Sequence, residues 1–191
     1  RVYAEETDAD FRAFVDTQGL GRDDRLVPDI IEKVYDSARC HLDPARWLPD
    51  CLADTDLKDN ADVSETVWGK YLQEELHSYL DSQIGILDKC IQEASACDGF
   101  EKVTGNLCAT VNQLKNLREC TSWDDIVAGR DLDYGRLTFP RKNDNPELSE
   151  RIKAARNACK KGLEKYLRAF TDPSESILKD LRTSADAVRG M

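Results

Sequence analysis

From Val63 to Cys97 the chain runs without a proline, and Val67, Trp68, Tyr71, Leu72, Leu76, Tyr79, Leu80, Ile84, Ile86, Leu87, Ile91 and Ala94 recur at helical spacing. Gaps of three and four residues are those of one helix surface, and no alternation suited to a strand is present. At ~1.5 Å per residue such a helix reaches about 50 Å, with Gly85 a candidate for a bend or a close helix contact. Its apolar residues fall on more than one stripe, which places it centrally with neighbours on two sides. Gly99 ends the pattern, and Val103, Leu107, Val111 and Leu114 carry a second helix from about Glu101 to Cys120. The connection is short, so the two are expected to form a long antiparallel hairpin over about 63–120.

The flanking segments read as helices too. Thr7-Asp8-Ala9-Asp10 resembles a capping box for a first helix that stops near Gly19, with Phe11, Phe14 and Val15 on its apolar face. Pro28 suits the first turn of a second helix, on which Ile31, Val34, Tyr35 and Ala38 recur up to Cys40. Residues 42–62, with Pro44 and Pro49 around Trp47 and Leu48, are expected to be irregular, with room for one short turn. Ser122-Trp123-Asp124-Asp125 opens a short helix to Ala128, and a long crossover loop follows from Gly129 to Asn145. Asn145-Pro146 starts a helix with an apolar seam of Leu148, Ile152, Ala155, Cys159, Leu163, Tyr166 and Phe170. Asp172-Pro173 opens the last one, on Ile177, Leu178, Leu181, Ala185 and Val188. The expected architecture is therefore all-α, a disulfide-stapled bundle of about five to six helices. It forms a single domain over 1–191, divided into 1–62, 63–120, 121–145 and 146–191.

Seven cysteines, Cys40, Cys51, Cys90, Cys97, Cys108, Cys120 and Cys159, are spread singly over these elements. The closest two have six residues between them, so no zinc-type pair exists. Scattered thiols fit disulfide staples and an oxidising compartment, with buried reduced thiols as the alternative. Cys40 and Cys51 bracket the proline-rich stretch, whose closure a bridge would favour. Cys90 lies nine residues before Gly99 and Cys108 nine after, level with each other on antiparallel helices. Disulfides Cys40–Cys51 and Cys90–Cys108 are expected on these grounds. Cys97, Cys120 and Cys159 are left open, and an odd count leaves one thiol over.

The net charge of −10 argues against nucleic acid and anionic membranes as partners. Residues 141–170 depart from that balance, with nine basic side chains against four acidic, while residues 1–65 hold seventeen acids and eight bases. This basic segment either balances the acidic N-terminal third or forms a docking face for an acidic partner. No apolar stretch approaches the roughly 20 residues of a membrane-spanning helix. A secreted chain that begins at Arg1 is expected to be a mature or trimmed form.

Chemistry is sparse. His77, with Glu74 three residues before and Asp81 four after, has the spacing one helix contributes to a di-metal carboxylate site, but His41 lacks the matching carboxylate. His77 therefore reads as a solvated histidine beside carboxylates. Cys40-His41-Leu42-Asp43 juxtaposes thiol, imidazole and carboxylate, yet adjacent residues at a helix end point apart. No phosphate loop, dinucleotide turn or calcium loop is present. Trp47, Trp68, Trp123, Tyr71 and Tyr79 serve either a core or an apolar pocket.

These readings converge on a secreted or surface-exposed, non-enzymatic helical protein, or the ectodomain of a surface protein, that acts by binding a protein partner. A carrier of a small hydrophobic ligand in the helical core is the alternative. The candidate partner-binding residues are Arg151, Arg156, Lys160, Tyr134 and Phe139. No catalytic residue, metal ligand or cofactor is expected.

Overall fold

The computed structural model describes Ala9, Arg12, Val15, residues 26–53, Thr55, Lys58, residues 61–140 and residues 145–189. Among these it is all-α, with seven α-helices and no strand. They are α1 (Leu26–Arg39), α2 (Pro44–Ala53), α3 (Val67–Ser95), α4 (Glu101–Glu119), α5 (Trp123–Gly129), α6 (Pro146–Leu167) and α7 (Ser174–Arg189). The chain forms two compact units, one from residues 1–61 with 174–191 and the other from residues 62–173. No helix among the described residues is long and apolar enough to cross a membrane.

In the 62–173 unit, α3 is entered through a 3₁₀ turn, Val63–Glu65, where the sequence suggested continuous helix. Asp62 and Glu65 form a capping box on that turn, and the Thr66 hydroxyl then accepts from the Gly69 amide to start α3 afresh. The chain doubles back so tightly that a Cβ on Gly69 would collide with the Val63 carbonyl. Gly85, the candidate for a bend or a close helix contact, makes no such contact, since a Cβ there would face open space. Gly99, at φ 81°, turns the chain between α3 and α4.

The two helices are antiparallel, because the start of one meets the end of the other. Gln73 Nε2 donates to the carbonyls of Cys120 and Thr121, at 3.2 and 3.0 Å, and Arg118 grips Asp81 through Nε at 2.9 Å. Gln73 thus serves carbonyls that α4 itself leaves unpaired. Helix α6 crosses the other side of α3: Arg151 pairs with Glu93, and Tyr79 Oη donates to the Cys159 carbonyl at 3.1 Å while its ring stacks on Tyr166. Gly162 makes this approach possible, since a Cβ there would strike the Tyr79 hydroxyl.

Leu76, Leu80, Leu87, Leu107, Leu114, Ile152 and Leu163 fill the space between the three helices, essentially inaccessible to water. Trp123 is another core side chain at 1% exposure, with its ring 4.2 Å from Phe170 and its indole N–H donating to the Asp172 carbonyl.

The other unit comprises α1, α2 and α7. Val27 is buried with Val15 and Ile30 packed against it, and α1 packs on α2. Residues 44–53, expected to be irregular, are helical. Pro44 sits in the first turn, where its missing N–H costs nothing, and Asp43 Oδ1 accepts from the Arg46 amide. Pro49 removes one internal bond, and α2 ends four residues later. The first helix expected over Thr7–Gly19 lies outside the described residues apart from Ala9, Arg12 and Val15, which are helical.

The disulfide staples find no support, since all seven cysteines are free thiols. Equal distance from Gly99 sets the height of Cys90 and Cys108 but not the direction each faces: Cys90 is buried and Cys108 exposed. Between Cys40 and Cys51 the chain is wound as α2, so the irregular loop that a bridge was to close is not there.

Candidate functional site

Residues 130–140 carry no helix or strand, yet they are held firmly between α4 and α6. From α4, Gln113 receives the Asp133 amide on Oε1 at 2.8 Å and donates Nε2 to the Asp133 carbonyl at 2.7 Å. Asn106 Nδ2 donates to the Tyr134 carbonyl at 2.9 Å. From α6, the Arg156 guanidinium donates to the carbonyls of Tyr134 and Gly135. Gly135, at φ 58°, sits where any Cβ would press on Asn106 Nδ2, and its amide donates to Asp133 Oδ1. Phe139 and Pro140 then reach the α3–α4 turn, with Phe139 edge-on to buried Phe100. Side chains therefore satisfy backbone groups that would otherwise need a sheet or water.

Cations lie over the rings of this segment. Arg156 and Lys160 stand 5.6 and 5.8 Å from the Tyr134 ring, and Lys153 stands 5.1 Å from Phe139. Burial first, then the neighbouring Cys159, Tyr79 and Glu164, push the Tyr134 hydroxyl well above its ordinary pKa, so the phenol stays protonated. The structure thus groups Tyr134, Phe139, Arg156 and Lys160, four of the expected binding residues. Arg151 is directed elsewhere, to Glu93 on α3. A surface cleft of about 470 Å³ adjoins them, lined by Arg130, Asp133, Tyr134, Lys160, Leu163 and Glu164 among others.

Helix α6 and its cap, Arg168, carry seven basic side chains against Glu147, Glu150 and Glu164. Several are engaged: Lys153 with Glu150, Lys160 with Glu164, Arg151 with Glu93 and Arg156 with the crossover. Lys161, Lys165 and Arg168 are exposed. In the sequence these three stand within the basic segment, undistinguished from their neighbours. Their spacing of four and three residues was the available signal.

Of the five aromatic residues only Trp68 and Trp123 meet, edge to face with ring centroids 5.9 Å apart, and the set forms no common pocket. Trp123 is core, whereas Trp68 and Tyr71 are exposed, and Trp47 is half-buried in the other unit, stacked 4.9 Å from His41. Among the described residues no apolar interior pocket is built from them. His77 is not the solvated histidine expected beside carboxylates. It is half-buried, its Nε2 has no hydrogen-bond partner, and burial followed by the Arg118 charge lowers its pKa. Cys159 is pushed up to about 11 by burial, which makes it an inert thiol at neutral pH. Among the described residues no group of His, Cys, Asp or Glu side chains is arranged to hold a metal ion.

The chain matches no established family model. Its sequence is similar to that of a bacterial ATP-dependent helicase/nuclease subunit. The likeness is 23% identity over 180 residues to the Clostridium novyi protein, covering 91% of this chain and 14% of that one. It is 24% over 186 residues to the Acetivibrio thermocellus protein and 22% over 189 to the Clostridioides difficile protein, each covering 93% of this chain and 15% of the relative. The chain spans about one seventh of the length of these curated relatives.

This likeness overturns the expectation of a secreted or surface-exposed protein that binds a protein partner or carries a hydrophobic ligand. It equally removes the exclusion of nucleic acid, since a helicase/nuclease is, by its name, an enzyme of nucleic acid. The extracellular and disulfide-bonded descriptions fall with it. Their error lay in treating scattered cysteines as bridges and a negative total charge as a property of every surface.

Proposed function

We propose that this chain is a helical part of a nucleic-acid-processing enzyme working inside the cell, akin to the ATP-dependent helicase/nuclease proteins it resembles. The similarity over more than nine tenths of the chain, in relatives from three organisms, carries the reading. An ATP-dependent enzyme of nucleic acid works where both ATP and nucleic acid are held, which is the cell interior. Seven free thiols fit a reducing compartment. The relatives extend far beyond the matched segment, so helicase or nuclease activity is assigned to a polypeptide that includes such a segment. The bundle itself contributes a folded helical element. The test is nucleic-acid-stimulated ATP hydrolysis by the polypeptide carrying this chain, isolated from its native source. Stimulation by added DNA or RNA is expected. A polypeptide that neither binds nucleic acid nor hydrolyses ATP in its presence overturns the proposal.

A further inference from the structure

We infer that the C-terminal half of α6 presents Lys161, Lys165 and Arg168 as a contact strip for the phosphate backbone of a nucleic acid. The inference rests on the nucleic-acid reading above and assigns it a surface. At i, i+4 and i+7 the three side chains share one helix face and span about 10 Å along the axis. All three are exposed, and among the described residues none of them is paired with a carboxylate.

Their neighbours on the same helix are already used. Lys153, Arg156 and Lys160 are held over the rings of Phe139 and Tyr134, and Arg151 is held by Glu93. Between Lys160 and Arg168 four cations face only Glu164, in a chain whose net charge is −10. The negative end of the helix dipole accounts for cations in the last turn, but Lys161 lies more than a turn earlier. An unpaired row of cations on a rigid helix, with its base packed by Cys159 and Leu163, complements a row of phosphates.

The test measures binding of the full chain to a labelled DNA duplex, and to a single strand of the same sequence, by fluorescence anisotropy across a salt series. Circular dichroism checks the fold of each variant. Combined Lys161→Gln, Lys165→Gln and Arg168→Gln is expected to weaken binding at least about tenfold at low salt. It is also expected to flatten the slope of log affinity against log salt by about 2 to 3, from ~0.9 per lost duplex phosphate contact and ~0.7 for a single strand. Lys161→Gln alone flattens it by about 1. Combined Lys70→Gln, Lys102→Gln and Lys115→Gln makes the same change in net charge on α3 and α4 and leaves the slope near that of the unsubstituted chain. If the α6 variants keep the original slope, or the α3 and α4 variant loses as much, the strip is wrong while the nucleic-acid reading stands. If the unsubstituted chain binds neither form of DNA at low salt, the strip falls, whereas the nucleic-acid reading falls only if the polypeptide carrying this chain neither binds nucleic acid nor hydrolyses ATP in its presence.

Discussion

The two units of this chain use similar helices to opposite effect. In residues 62–173 three helices enclose a continuous set of leucines with near-zero exposure, closed by Trp123 against Phe170. In the other unit α2 buries none of its residues, Trp47 is half-buried, and Leu42 is fully exposed. Local helix signals are good in both, since Asp43 caps α2 as Thr66 caps α3. The difference lies in how many large apolar side chains each helix turns toward a partner. Helical stability in proteins comes mostly from that burial and little from propensity.

Thiol accessibility gives the widest separation between the units. Cys40 and Cys51 are exposed, whereas Cys90 and Cys159 are buried in the 62–173 unit. A thiol reagent under native conditions is expected to modify Cys40 and Cys51 at once, and Cys90 and Cys159 only through opening of the bundle. With opening free energies of ~5 kcal/mol or more, their rates should differ by a factor on the order of a thousand. Mass spectrometry of partly labelled protein reads the order directly. Equal rates at all four positions would break the comparison, and failure of Cys40 and Cys51 to react without reductant would restore a disulfide there.

Tryptophan truncation measures the same contrast in energy. Trp123→Ala removes a side chain at 1% exposure, its ring contact with Phe170 and its bond to the Asp172 carbonyl. It is expected to cost about 3–5 kcal/mol in urea unfolding followed by circular dichroism. Trp47→Ala, which loses chiefly a stacking contact with His41, is expected to cost about 1 kcal/mol or less. If the two costs proved equal, the packing difference would not be what separates the units.

The same contrast explains what was legible in the sequence. The long apolar period over residues 63–120 placed α3 and α4 to within a few residues, because dense burial forces a strict pattern. Asn145-Pro146 located α6 equally well, because a cap is a local event that needs no partner. The α2 helix was missed because Pro44 and Pro49 look alike in sequence, although a proline in the first turn costs nothing and one further in costs a single bond. The disulfides were misread because axial register was taken for proximity, while Cys90 and Cys108 differ in the direction they face. The crossover was legible as a loop and no more. Its clamp is made by Asn106, Gln113 and Arg156, which are distant in sequence and carry no pattern of their own. The three cations of the proposed strip became distinct only when the structure showed their neighbours engaged.

His77 offers the smallest effect and tests how dry the interface of α3 with the end of α4 is. Burial first and the Arg118 charge second lower its pKa from the ordinary value of 6.5, against weaker opposing effects from the Cys120 backbone and Asp81. The folded chain therefore holds His77 neutral at a pH where the unfolded chain begins to protonate it. Unfolding takes up protons in that window, so stability is full above pH 6.5 and declines as the pH falls toward the lowered value. His77→Gln, which cannot titrate, is expected to remove this part of the acid slope while leaving the curve above pH 6.5 parallel to that of the unsubstituted chain. The readout is the difference between the two urea-midpoint profiles across the acid range, smaller than the Trp123 effect because His77 is only half-buried. A difference that rises instead of falling on acidification would mean that Asp81, despite its grip on Arg118, stabilises the imidazolium and that water reaches the junction.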